Sequence, residues 1–314
     1  MAPGIDVVDT MLGGMPHITA AFLVHGPQPA LIEVGAQSSG AAVRDALAAA
    51  GVGANDLRWI AVSHIHLDHA GAIGELAQWF PKASVVVHEN GARHLVDPTR
   101  LINSAAQVYG PLLDSLYGRM TAVPEDRVIA AADGFVMDVG NGRRLRTVAS
   151  PGHAKHHHAI WDEQTGTLLA GDAVGVQLPE VGVLRPAAPP PEFDLEQTIA
   201  SLQRFRALRP TNVVLTHFGV IGEADEVLAA GEDVLRRWVD LADRLVVENP
   251  DISADQLERK LADEYAQRPD GVSVEAMRRL DILNGVHSNA VGILRYINKR
   301  REAQRAAAGS EARP

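Results

Sequence analysis

The chain has 314 residues, 46% hydrophobic and 22% charged, which is enough for a sizeable buried core in one large domain or two ordinary ones. Its 29 Lys and Arg against 39 Asp and Glu give a formal charge of -10, and a field of that sign argues against nucleic-acid binding. There is no cysteine, so disulfides, thiolate zinc sites, iron–sulfur clusters and cysteine nucleophiles are excluded, and any metal has to be held by His and carboxylate.

Asp6 and Asp9 stand where a secretory signal would need a basic start and an apolar run, and no run of about 18 apolar residues occurs. A cytoplasmic protein without membrane contact is expected. Two paired strands come first, Ile18 to Val24 and Ala30 to Val34, separated by the turn cluster His25-Gly26-Pro27-Gln28-Pro29. Ser39 to Ala50, with Val43 and Leu47 at helical spacing, forms a helix stopped by Gly51 and Gly53. An apolar strand, Leu57 to Ser63, runs into His64-Ile65-His66-Leu67-Asp68-His69 and a helical stretch from Ala70 to Trp79.

Val85 to His88 is a strand, followed by a mostly helical insertion over about 90–126 before strands resume near Phe135 and Leu145. Ala159 to Trp161 and Thr167 to Ala170 are strands. A Pro-rich loop, Leu178 to Phe193, then leads to an amphipathic helix, Leu195 to Leu208, and a strand, Asn212 to Thr216. From Glu223 only helices are expected: one ending near Asn249-Pro250, one behind the capping pattern Ser253-Ala254-Asp255-Gln256, and one from about Asn289 to Arg305. The tail from Ala306 to Pro314 is expected to be disordered. The chain thus divides into a mixed strand-and-helix part, 1–222, and a helical part, 223–314. Val234, Leu235, Trp238, Leu241, Ala242 and Leu245, then Leu257, Leu261 and Tyr265, give the late helices apolar faces. Those faces need covering, by the chain's own domain or by the matching face of a second chain; packing beside the 90–126 insertion with a contribution to a homodimer is expected.

Four ligand-type side chains in six residues dominate the chemistry. In an extended segment residues two apart face the same way, so His64 and His66 can share one metal ion while the following turn aims Asp68 and His69 at a second. Further candidates follow strand-like runs: His153 in Ser150-Pro151-Gly152-His153, Asp172 in Ala170-Gly171-Asp172, and His217 in Leu215-Thr216-His217.

In these motifs, over roughly residues 15–222, the chain resembles the metallo-β-lactamase superfamily. The resemblance implies an α+β fold, the four-layer αβ/βα sandwich with the metals at the sheet edge, here with a C-terminal helical appendix. It also implies that His64, His66 and His153 hold a first metal, that Asp68, His69 and His217 hold a second, and that Asp172 bridges them. Two Zn are expected; Fe or Mn suits the same donors. The implied activity is hydrolysis of a small molecule by a hydroxide bridging the metals, with Asp68 as the catalytic residue that orients it and passes its proton to the leaving group. An ester-type bond is preferred: lactone, thioester or carboxylic ester. Phosphodiester or phosphotriester hydrolysis is the alternative on the same site. A mononuclear Fe persulfide dioxygenase using His64, His153 and Asp172 is another.

Two features depart from the family pattern. The run Ala154-Lys155-His156-His157-His158 places His157 where a supporting role beside the site is expected, with His156 and His158 as surface or packing residues. The insertion carries Arg93, His94, Arg100, Tyr109, Tyr117 and Arg119 and can overhang the site and set substrate choice. Glu33 is expected to support the site through hydrogen bonds. The lone histidines His17, His25, His88, His94 and His287 read as structural or surface groups. Lys299-Arg300-Arg301 with Arg305 reads as a solvated helix end. The sequence identifies no substrate-binding residue.

Overall fold

The structure, a computed structural model, describes residues 2–311. Its strands are β1 (Ile5–Asp9), β2 (Ala20–Val24), β3 (Ala30–Ile32), β4 (Trp59–Ala61), β5 (Ser84–His88), β6 (Val128–Ala131), β7 (Val136–Gly140), β8 (Arg143–Ala149), β9 (His158–Asp162), β10 (Thr167–Leu169), β11 (Asn212–Leu215) and β12 (Gly219–Val220). The first six form one sheet in chain order, and the last six form a second, ordered β12-β11-β10-β9-β8-β7. The helices are α1 (Gly40–Ala49), α2 (Leu67–Ala70), α3 (Ile73–Trp79), α4 (Glu89–Val96), α5 (Thr99–Tyr109), α6 (Leu195–Ala207), α7 (Ala224–Glu248), α8 (Ala254–Tyr265), α9 (Val274–Leu283) and α10 (Val286–Glu311).

Alternation along the strands builds the layers. Ala20, Phe22 and Val24 of β2, with Ile32, Ala61 and Val86, meet Met137, Leu145, Ile160, Leu169 and Val214 of the other sheet in one core. Their neighbours Ala21, Leu23, Leu31, Ile60, Val85 and Val87 face outward against α1 and α3, as the period of two requires. The outer face of the second sheet, Val148, Leu168 and Val213 among others, is covered by Leu202 and Phe205 of α6 and by Val227 and Leu228 of α7. This is the layered α+β sandwich the resemblance implies.

β4 runs parallel to β3 in the first sheet, and β10 parallel to β11 in the second, so the carboxyl ends of these strands gather at one edge. There the sheets are tied directly, Ala20 N–H donating to Thr216 O at 2.9 Å. No helix among the described residues is long and apolar enough to cross a membrane.

Three short strands and a helix escape the sequence reading. β1 is an edge strand paired antiparallel with β2, and its two Asp residues disguise it as a polar terminus. β6 is a four-residue parallel addition to β5, and β12 has only two residues. α9 begins behind Ser273, whose hydroxyl accepts the Ala276 N–H. The expected helix from Ala70 to Trp79 is two pieces, α2 and α3. The last helix runs on to Glu311 through Ala306 and Ala307 rather than ending at Arg305, as strong helix formers allow; residues 312–314 of the expected disordered tail lie outside the described residues.

Candidate metal centre

Each candidate ligand follows a strand end. After β4 the chain bends at Ser63 and His64 and reaches His66, whose own φ/ψ is extended and whose carbonyl accepts the His69 and Ala70 N–H groups that start α2. His64 and His66 thus precede the helix, and Asp68 and His69 lie in its single turn. His153 follows β8, Asp172 follows β10, and His217 follows β11.

All seven side chains converge. His64 Nε2 and His66 Nδ1 are 2.8 Å apart, and His153 Nε2 lies 3.2 and 3.0 Å from them. Three ring nitrogens crowded this closely surround a point suited to one cation. A second group forms beside it: Asp68 Oδ2 lies 3.7 Å from His69 Nε2 and 3.6 Å from His217 Nε2. Asp172 stands between the groups. Its Oδ2 is 3.7 Å from His153 Nε2, while its Oδ1 is 3.4 Å from His69 Nε2 and 3.3 Å from His217 Nε2.

Among the described residues, His69 Nε2 and Asp172 Oδ1 are buried without a hydrogen-bond partner. Buried polar atoms are rarely left so unless something else satisfies them. A divalent cation among imidazole and carboxylate donors fits both orphans.

The outer faces of the imidazoles are held in turn. His64 Nδ1 is 2.9 Å from Ser63 Oγ, His153 Nδ1 3.0 Å from Ala187 O, and His217 Nδ1 3.0 Å from Ile18 O. His69 Nδ1 is 3.2 Å from Glu33 Oε1, and Glu33 also accepts from Thr216 Oγ1 and Ser63 N–H. Such contacts fix ring orientation and tautomer at metal sites. Glu33 supports the site in this way. His157 is fully buried; its Nε2 accepts the Asp172 N–H at 3.2 Å and its Nδ1 meets Ser150 Oγ at 2.8 Å. It therefore fixes the backbone of Asp172. Gly171 just before has φ +54°, and a Cβ there would lie 2.6 Å from His157 Nε2, so only glycine lets the two segments approach.

Electrostatics separates the two groups. Burial, then the neighbouring imidazoles, hold His64 and His66 well below the usual histidine range. Burial also lowers His153, against the pull of Asp172. These three are neutral, with lone pairs available. Burial would lower His69 as well, but Asp172, Asp68 and Glu33 outweigh it and raise it well above the usual value. Asp172 likewise raises His217 against burial. In turn, burial would raise Asp172, but His69 and His217 hold it well below the carboxylate range. The second group therefore has an appetite for positive charge that a divalent ion can meet in place of protons.

The centre lies on a cavity of about 330 Å³. Its other walls come from the insertion (His94, Arg100, Leu101, Ser104, Ala105, Tyr109), the Pro-rich loop (Ala187 and Pro189 to Glu192) and the C-terminal helices (Leu283, Asn284, Ser288). His94, expected as a structural or surface group, and His156, expected as a surface or packing residue, both line this cavity; His156 is 3.6 Å from Glu192 Oε2 and its ring lies 5.7 Å from that of His66. For His94 its place in the insertion between metal-bearing strands was the signal; for His156 local sequence carried none, since long-range packing brings it there. His158 packs internally, its Nε2 2.9 Å from Val62 O. Tyr109 lines the wall with Tyr117 behind it, ring centroids 4.5 Å apart. His17, His25, His88 and His287 do not line the cavity.

Comparison with known proteins accords with this geometry. A relative from Sulfurisphaera tokodaii, "Metallo-beta-lactamase fold-containing protein ST1585", is 32% identical over 168 residues, covering 52% of this chain and 62% of the relative, less than two thirds of its length. "Probable metallo-hydrolase YqjP" of Bacillus subtilis is 23% identical over 251 residues, 73% of this chain and 76% of that protein. The crystal structure of ST1585 superposes with a TM-score of 0.69 at 24% identity, covering 92% of this chain and 98% of that one. The family model described as "Metallo-beta-lactamase superfamily" matches residues 14–217, a span that holds all seven converging side chains, and the chain belongs to that superfamily.

Proposed function

We propose that the chain is a dinuclear metal-dependent hydrolase, with zinc as its metal, that cleaves an ester-type bond (lactone, thioester or carboxylic ester) of a small molecule. One observation carries the reading: the two oxygens of Asp172 face different donor groups, Oδ2 toward His153 and Oδ1 toward His69 and His217, so one carboxylate is common to both positions. A divalent ion in such a site lowers the pKa of a bound water to about 7 and polarises the substrate oxygen.

The chain's own residues supply the rest. His64, His66 and His153 are neutral donors, and Asp172 and Asp68 bring the negative charge that binds cations. The Asp68 carboxylate borders the cavity, where it orients the attacking water and relays its proton to the leaving group. Leu101, Ala105, Val176 and Leu283 on the walls exclude bulk water and strengthen each polar interaction inside. The net charge disfavours long polyanionic substrates, and the name of the Bacillus relative points to hydrolysis. An iron dioxygenase reading uses only His64, His153 and Asp172. It leaves Asp68, His69 and His217 without an ion, although their ligand atoms lie within 4.8 Å of one another.

Metal analysis of the purified protein, with turnover on a panel of lactones, thioesters and phosphodiesters, tests the proposal. Two zinc ions per chain and cleavage of a carboxylic ester-type bond are expected. One iron per chain with oxygen uptake on a persulfide would overturn it, and turnover confined to phosphodiesters would replace the bond type.

A further inference from the structure

One stripe of α5 lines the cavity: Leu101, Ser104, Ala105 and Tyr109 at helical spacing, with Arg100 at its start. Tyr109, at the other end of the stripe, lines the same cavity as Asp68; burial and then the Asp68 charge hold its phenol protonated above the usual range. Arg100 is nine residues away, about 13 Å along the helix axis.

At the Arg100 end, hydrogen-bond donors stand without acceptors. Arg100 is the only Lys or Arg on the cavity wall, and it makes no hydrogen bond or ion pair among the described residues. His94 accepts the Arg93 Nε–H at its Nε2, 3.2 Å away, which leaves its proton on Nδ1. Burial, then the charges of Arg93 and Arg100, lower its pKa and keep it a neutral donor. The Ser104 hydroxyl lies one turn from Arg100 on the same wall and has no partner among the described residues. The wall's one glutamate, Glu192, is already engaged: it accepts the Lys155 N–H at 3.1 Å and faces Lys155 Nζ at 3.9 Å and His156 Nε2 at 3.6 Å. Arg100 is therefore the uncommitted formal charge on a wall that is otherwise mostly apolar.

We propose that Arg100, with His94 and Ser104, forms a carboxylate subsite, and that the substrates are small molecules with an apolar middle and an anionic end distal to the bond cleaved. This inference rests on the hydrolase reading and names its substrate class. A single guanidinium balances a monoanion and presents two parallel donors to it; the apolar stretch of α5 between the two ends accommodates the connecting chain.

Titration calorimetry of the metal-loaded protein with suberate and with octanoate tests it, since the two have equal carbon counts and differ in the distal carboxylate. Suberate should bind about tenfold more tightly although it is the less apolar ligand, and the advantage should shrink as salt rises. Arg100→Gln should abolish the preference and Arg100→Lys should restore part of it. Because the side chain is exposed, metal content and melting temperature should stay at the wild-type level in both variants. Suberate binding no better than octanoate, undetectable binding of both included, overturns the subsite, as does a preference that survives Arg100→Gln. No turnover on the ester panel with the preference intact would count against the hydrolase reading alone.

Discussion

In the proposed dinuclear centre Asp172 is the side chain common to both metal positions, because its two oxygens face different donor groups. Asp172→Ala should release both ions and lower turnover by at least about 100-fold, within the range that loss of a site's ligands or their supports produces. His156→Ala, which removes a cavity-wall group that belongs to neither donor cluster, should retain both ions; metal content and turnover measured together separate the two. A different residue reports on pH. Burial, then the charge of His88, pushes His158 down to about 3, against an unfolded value near 6.5. Between those values the unfolded chain binds a proton that the folded chain refuses, so stability falls as pH drops from 6.5 toward 3. His158→Gln keeps a donor for Val62 O without titrating. In metal-free protein the variant should lose about 2 kcal/mol less than wild type between pH 7.5 and 5 in urea unfolding. The same loss in both would show that His158 is not held neutral. These residues differ in how far sequence reveals them. The seven converging groups come in short motifs beside strand ends, where local spacing carries the information. The cavity positions of His94 and His156 depend on contacts between remote segments.

At the scale of elements, the C-terminal helices reach the metal centre through the Pro-rich loop. Ala187 O receives His153 Nδ1, and the peptide groups on either side of Ala187 are clamped: Asn284 Nδ2 donates to Pro186 O at 3.0 Å, and Asn289 Oδ1 accepts the Ala188 N–H at 2.7 Å. Asn289 Nδ2 also donates to Asn284 Oδ1, and Arg185 bonds Asn284 O and Asp281. Gly292 of α10 completes the fit, since a Cβ there would lie 1.9 Å from Ala188 O. Asn289→Leu strips the acceptor from Ala188 N–H and should weaken binding of the ion at His153 by about tenfold, in line with supporting contacts at other metal sites. Ser288→Ala, at the exposed neighbouring residue outside the clamp, should bind metal as the wild type does; competition against a chromogenic chelator reads the difference. Equal affinities in the two variants would show that the clamp does not act on His153. Elements with strong periodicity or caps were legible, as the capping box of Ser253 and Gln256 shows. β1, β6 and β12 were not, because each is an outermost strand of its sheet, where pairing with a distant partner rather than local pattern makes the strand. α9 was missed because its buried residues, Ala276 and Leu280, belong to a core cluster whose other members are remote in sequence.

For the whole molecule, the question is whether residues after 222 form an appendix or a part of the core. Of the apolar faces visible in the sequence, Leu235, Trp238 and Ala242 of α7 and Leu257 and Leu261 of α8 are buried with Ile293, Leu294 and Ile297 of α10, and Val234, Leu241, Leu245 and Tyr265 are partly buried against them. Leu195 and Ile199 of α6, which precede the proposed boundary, join the same cluster. Leu202 and Phe205 of α6 pack with Val227 and Leu228 of α7 over the second sheet, and Arg206 Nη1 is 2.6 Å from Glu232 Oε2. Burying each such large side chain stabilises by about 1.5–3 kcal/mol. Uncovering four of them on α6 is therefore comparable with a typical net stability of about 5–15 kcal/mol. Truncation after residue 222 also removes Asn284 and Asn289 from the loop that holds His153, and Leu283 and Ser288 from the cavity wall. The truncated chain should aggregate or elute as a broad oligomer in size-exclusion chromatography, and any soluble fraction should be depleted of metal and inactive, although it retains all seven candidate ligands. The opposite result is equally readable. A monodisperse truncated protein with full metal content and unchanged turnover would mean that the sandwich closes its own core, and that the links from α9 and α10 to the Pro-rich loop are dispensable for holding His153 in place.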